Sequence, residues 1–229
     1  LNDTKKSEVL WSDRWQEKWD NLPTIKGSLS DGLLKALDTQ PKVEKKVDTT
    51  NTEAYEFYLK AKHKYQKRED MDDIVIAQGL LQKAIELDNS LLRARILLGW
   101  TFYEMGDYAK SMKIYSSALK QAEDIGDKQM MGISLMNIGI LYSTKGENVK
   151  ALDFFTRSLK ICEEFGDKSW MGTILYNIGI LYSRSSEYNK ALNFFKRNLK
   201  ICEELDNKSG IGNSLNNIGF VHKVKGDYK

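Results

Sequence analysis

Apolar residues fall at helical spacing in a phrase that this chain repeats every forty residues. In 131–142, Leu135, Ile138 and Tyr142 stand at i, i+3 and i+7 with Gly139 beside them, the stripe of an amphipathic helix. Lys145-Gly146-Glu147 follows: the glycine supplies a left-handed residue that closes a helix, and the acid after it suits a new N-terminus. Ala151, Leu152, Phe155, Leu159 and Cys162 then make a second stripe, answered by Ala191, Leu192, Phe195, Leu199 and Cys202. Aligned without a gap, 131–170 and 171–210 are identical at 25 of 40 positions. Gly99, Gly139, Gly179 and Gly219 mark one phase of the repeat. Met105-Gly106-Asp107 and Lys225-Gly226-Asp227 repeat the first turn. Gly-Asp-Lys at 126–128 and 166–168 leads into the next unit, and Asp206-Asn207-Lys208 replaces it later.

A period of this length predicts a row of antiparallel helix pairs, each burying its apolar face only against its neighbours. Gly139 and Ala151 are expected where two helices cross, with Tyr142 and Phe155 filling the space beside them. Ser186 stands where the other units have glycine, so a left-handed residue there costs up to about 1–2 kcal/mol or the corner relaxes. We expect that corner to be the looser one. The final Gly226-Asp227-Tyr228-Lys229 matches the opening of a second helix, so the natural protein is expected to continue.

Composition adds restraint rather than direction. The net charge of +3 is small beside 35 basic and 32 acidic residues, which gives no field for nucleic acid or anionic lipid. No apolar run reaches the ~18–20 residues that span a bilayer. The run Lys60–Arg68 is basic but meets Glu69-Asp70 at once, and reads as a solvated helix face. Cys162 and Cys202 occupy equivalent places about one hairpin apart, beyond the ~7 Å between Cα atoms that a disulfide allows. They read as small buried hydrophobes in a reducing compartment, which places the chain in the cytoplasm. There is no glycine-rich phosphate loop, no cysteine–histidine metal spacing and no nucleophile–base motif. We therefore expect no enzyme activity, no metal and no cofactor in this segment.

The unit resembles a tetratricopeptide repeat in a forty-residue form. Asn-Ile-Gly-Ile-Leu-Tyr at 137–142 and 177–182 stands for the family's Asn-Leu-Gly-x-x-Tyr, and Lys-Ala-Leu-x-Phe-Phe at 150–155 and 190–195 completes the match. The unit at 91–130 is similar through Leu98-Gly99, Phe102, Gly106-Asp107-Tyr108 and Ala118-Leu119. A diverged first unit, about 53–90, closes with Ala84-Ile85-Glu86-Leu87-Asp88-Asn89, and carries extra residues around 68–73. The resemblance implies an all-α fold, a right-handed superhelical solenoid over 53–229, with units of about 53–90, 91–130, 131–170, 171–210 and a truncated 211–229.

The first fifty residues differ in character. Val9-Leu10-Trp11-Ser12-Asp13-Arg14-Trp15 reads as a strand end and turn, and Leu29, Leu33, Leu34 and Leu37 give 25–37 an apolar helical stripe. Residues 41–52 read as a linker. Leu-Trp-Ser-Asp-Arg-Trp followed by a helix, a linker and Thr52–Leu59 resembles a junction of bacterial multidomain signalling proteins. In those, a TolB-N-like α/β domain precedes the repeats, and a nucleotide cyclase, Ser/Thr protein kinase or DNA-binding domain often lies upstream. On that reading residues 1–40 are the tail of an α/β domain, and the repeats are linked in cis to a catalytic or DNA-binding domain. The other reading makes them a helix that caps the first repeat.

A helix turns 100° per residue, so Asn137 lies roughly 200° from Gly139 and faces away from the paired helix. Ile133, Asn137, Ile140 and Thr144 form that stripe. Thr173, Asn177, Ile180 and Arg184 follow in the next unit, then Asn213, Asn217, Phe220 and Val224. An asparagine both donates to and accepts from a peptide backbone whatever its sequence, so a column of them suits an extended segment. The expected peptide-binding residues are Asn137, Ile140, Tyr176, Asn177, Ile180, Arg184, Asn213, Asn217 and Phe220. The competing view is that duplication simply copied the amides. Ile133, Thr173 and Asn213 stand where a Lys/Arg clamp for a C-terminal carboxylate would be, which argues against chaperone-tail binding. The expected partner is a protein or peptide, not nucleic acid or membrane. The function expected is a regulatory or docking arm of a signalling protein. Alternatives are the regulatory region of a cyclase or kinase, or a receptor for short signalling peptides.

Overall fold

The computed structural model describes residues 51–226, so the expectations for residues 1–40, for most of the linker and for Asp227–Lys229 lie outside the described residues. The described residues form nine α-helices: α1 (Thr52–Gln66), α2 (Met71–Leu87), α3 (Leu92–Glu104), α4 (Tyr108–Ile125), α5 (Lys128–Thr144), α6 (Asn148–Phe165), α7 (Lys168–Arg184), α8 (Tyr188–Glu204) and α9 (Lys208–Lys225). The chain divides into two compact units, Leu1–Ala94 and Arg95–Lys229.

In the first unit α1 and α2 pack as an antiparallel pair. Asn51 joins the two ends: its Oδ1 accepts from the Ala54 N–H at 3.0 Å and its Nδ2 donates to the Leu87 carbonyl at 3.0 Å. At the other end Lys64 pairs with Asp73. Fully buried Ala54, Ala61, Ala77, Leu81 and Ala84 belong to the core of this unit. The extra residues at the hairpin corner supply a cap, because the Asp70 carboxylate accepts from the Asp73 N–H at 3.0 Å. The basic run is spent locally, on a 2.6 Å pair between Lys60 and Glu56 and on Arg68 donating to the Tyr65 carbonyl at 2.8 Å.

The second unit repeats one packing device. A Cβ on Gly99, Gly139 or Gly179 would lie 2.5, 2.8 or 2.6 Å from the ring of Tyr115, Phe155 or Phe195 on the next helix. A bare backbone and a flat ring thus set how closely each pair approaches. Tyr142 is half-buried, packs against the cluster that holds Ala151 and Phe155, and stacks on Phe154 with ring centroids 5.3 Å apart; Tyr182 stacks on Phe194 likewise. Between hairpins, Ala151, Phe155, Leu159, Cys162, Trp170, Ile174, Leu175, Ile178 and Leu181 form one buried cluster.

The corners follow from backbone stereochemistry. Gly106 and Gly146 both take φ +77° and Gly126 and Gly166 take +70° and +68°, the left-handed region that an L side chain disfavours. Ser186 takes φ 60° and Asp206 takes 50° at the equivalent places, so the fold keeps the corner and bears the strain. Asp127, Asp167 and Asn207 each cap the first helix of a pair by accepting from the N–H three residues on. Asp107 does the same for α4, whereas Glu147 and Glu187 make no side-chain cap and pair instead with Lys150 and Lys190 at 2.6 and 2.5 Å.

Candidate functional site

The stripe residues lie on α5, α7 and α9, the first helices of successive pairs. Three hydrogen bonds, each spanning forty-one residues, show that these helices lie side by side. Tyr103 and Thr144 hydroxyls meet at 3.2 Å, Arg184 Nη1 donates to Ser143 Oγ at 3.3 Å, and Asn217 Nδ2 donates to Tyr176 Oη at 3.2 Å. A forty-residue period makes i and i+41 neighbours across adjacent first helices. That signal was available in the sequence and points to Ser143 and Tyr103, which stripe counting missed.

The candidates separate by burial. Asn137 is only 4 % exposed and so lies beneath the surface, which differs from the expectation for the first rung of a ladder. Ile140, Tyr176, Asn177, Ile180 and Asn217 are half-buried, and Arg184, Asn213 and Phe220 are exposed. Ile140 and Ile180 also pack against the hydrophobic clusters beneath them, so each is partly floor and partly core. Tyr176 is anchored from below by Phe195, with ring centroids 6.0 Å apart.

The two accessible amides are oriented by their own helix. Asn177 Nδ2 donates to the Thr173 carbonyl at 2.8 Å, and Asn217 Nδ2 donates to the Asn213 carbonyl at 2.9 Å. Only the NH₂ side of an amide can face a carbonyl, so each Oδ1 is left as the acceptor. Asn217 spends its second N–H on Tyr176. The pair therefore offers a ligand two Oδ1 acceptors against the one remaining N–H of Asn177, suited to backbone N–H groups. Thr144 and Thr173 also bond back to their own helix, at 3.0 and 3.3 Å.

The thiols stand apart from this surface. Both cysteines are free and buried, and Cys162 Sγ–H donates to the Asp167 carbonyl at 3.2 Å. Burial, with Asp167 and Glu163 nearby, pushes the Cys162 thiol up to about 11, the opposite of an activated nucleophile. No group of three or more His, Cys, Asp or Glu among the described residues is placed to hold a metal ion. No helix among them is long and apolar enough to cross a membrane.

Comparison with known proteins agrees with this architecture. The tetratricopeptide repeat family model matches twice, over residues 91–164 and 130–204. Among solved structures the chain is similar to BtubC (BKLC) from P. vanneervenii, at 17 % identity and a TM-score of 0.58, covering 76 % of this chain and 82 % of that one. It is similar to aspartyl phosphate phosphatase F from Bacillus subtilis at 17 % identity and a TM-score of 0.63, covering 84 % of this chain and about half, 49 %, of that one. A Rap protein complexed with competence and sporulation factor gives 13 % identity and a TM-score of 0.60, covering 85 % of this chain and 68 % of that one. At such identities the likeness shows the fold alone. No curated protein matches the chain by sequence. Residues 91–204 are tetratricopeptide repeats.

Proposed function

We propose that the repeats bind an extended protein or peptide segment along the face formed by α5, α7 and α9, and so act as the docking or regulatory arm of a signalling protein. The supporting observation is the pair Asn177 and Asn217, whose amides are held by their own helices with Oδ1 left as acceptor. An amide fixed in advance loses little freedom on binding, which favours affinity. The half-buried Ile140 and Ile180 supply apolar floor that a partner's side chains would cover.

A narrower version, a receptor for short signalling peptides, draws support from the Rap neighbour solved with a bound factor. The regulatory arm of a nucleotide cyclase or Ser/Thr protein kinase, linked in cis through residues 1–40, is compatible with the same surface. Selection of displayed random decapeptides on the purified 229-residue chain, with counter-screening on Ile180→Arg, tests groove binding. Binders that Ile180→Arg rejects are expected; a pool that binds both proteins equally would overturn the proposal.

A further inference from the structure

Arg184 is the one charged residue of the stripe on α5, α7 and α9. Its counterparts in the flanking units are Thr144 and Val224. Duplication copies residues by default, so a recurring asparagine carries less information than a position that has changed to a charge.

The surroundings of Arg184 set it apart from the arginines of the second helices. Arg157 pairs with Asp153 at 3.8 Å and lies over the Phe154 ring, and Arg197 pairs with Glu163 at 3.5 Å and lies over Phe194. The only hydrogen bond of Arg184 among the described residues runs sideways to the neutral Ser143 hydroxyl of α5, so the guanidinium reaches across the floor. No carboxylate among the described residues pairs with it. Glu187, the nearest acid in sequence, is held by Lys190 at 2.5 Å. A guanidinium has five N–H donors in a planar fork that matches a carboxylate, and one hydroxyl leaves most of that fork unused. Lys223, exposed in the last turn of α9, adds positive charge at the same end of the adjacent first helix.

Arg184 lies two helical turns beyond Asn177, about 10 Å along the axis. A segment whose backbone passes over Asn177 and Asn217 thus has a side chain's reach to the guanidinium. We propose, on the groove reading above, that the bound segment is acidic at one fixed position, and that an Asp or Glu side chain there pairs with Arg184. Apolar side chains on Ile180 and Phe220 would set its register, and the carboxylate would select it. Arg184 also sits in the last turn of α7, where a cation suits the helix dipole without any ligand. That role is indifferent to peptide sequence, so the two separate experimentally.

The test is the same decapeptide selection run in parallel on the wild-type chain, Arg184→Glu and Arg184→Gln. The wild type is expected to enrich Asp or Glu at one position, Arg184→Glu to enrich Lys or Arg there, and Arg184→Gln to lose the charge preference. A synthetic acid-bearing winner should bind Arg184→Glu at least about tenfold more weakly. Identical pools from all three proteins would overturn the proposal while leaving groove binding intact, and so would winners lost on C-terminal amidation alone. Winners that Ile180→Arg still binds would overturn the groove reading itself. Matching helical circular dichroism of the variants confirms that all are folded.

Discussion

Phe155 and Phe195 each rest a ring on a glycine, and that contact sets the tolerance of the fold at single residues. Gly179→Ala places a methyl 2.6 Å from the Phe195 ring, where a buried aromatic has no room to retreat. Overpacking of this kind costs about 1–3 kcal/mol. Gly79, exposed in the interior of α2, has nothing within 4 Å, so Gly79→Ala should be neutral or gain up to about 1 kcal/mol from helix propensity. Urea melts of the two variants check this, and equal destabilisation would contradict it. The glycine phase was legible in the sequence, whereas at Ser186 it left a strained left-handed residue or a relaxed corner open, and the residue is left-handed. The burial of Asn137 was not. Asn137 and Asn177 are the same letter in the same phase, yet one is 4 % exposed and the other half-buried. Helical periodicity gives the direction of a side chain, while its cover comes from neighbours that have diverged. Met136, whose sulfur accepts from Trp170 Nε1 at 3.1 Å, stands where the next unit has Tyr176.

At the scale of the helix, the caps explain why similar corners are not equivalent. Asp107, Asp127 and Asp167 accept from the backbone N–H three residues on, but Glu147 at the start of α6 is one methylene too long and turns to Lys150. Asp127→Ala should lower stability by about 1 kcal/mol. Glu147→Asp should raise it by several tenths or more by restoring the cap, even with the exposed Lys150 pair weakened, since such pairs contribute little. Thermal melting of both variants is the check, and a loss on Glu147→Asp would show that the glutamate is the better fit. These turns were readable in advance because Gly-Asp and Gly-Glu recur at fixed offsets. The difference between the two acids was not, because it depends on side-chain reach.

For the whole molecule, the forty-residue period made the order of helices legible from 91 onward, and α3 to α9 follow it. The side-by-side first helices were implied by the same period, and the contacts of Thr144, Arg184 and Asn217 across forty-one residues follow it. Titration gives a global signature. The Lys110 N–H and ammonium hold the Asp107 carboxyl below its ordinary value, and Lys168 does the same to Glu204. Groups lowered in the folded state contribute stability above the unfolded carboxylate value and lose it as pH falls through the folded one. Lys150 and Lys190 are raised by Glu147 and Glu187, so their contribution is lost as pH rises through the folded ammonium value. The Cys162 thiol, at about 11 when folded, stays protonated where an unfolded thiol ionises, which also weakens the fold at high pH. The urea midpoint should therefore be flat near neutrality and fall below about pH 4 and above about pH 9. A midpoint that rises on either side would contradict this electrostatic picture. The native thiols should resist a thiol reagent until the chain unfolds.

Groove binding is tested most directly by titrating one selected peptide into the wild-type chain and into Asn177→Ala/Asn217→Ala. Alanine is the better helix former at both positions, so the double variant should melt no earlier than the wild type. Its affinity should nevertheless fall by at least about tenfold, because two oriented acceptors are gone. Unchanged affinity in a folded double variant would contradict the asparagine-lined groove.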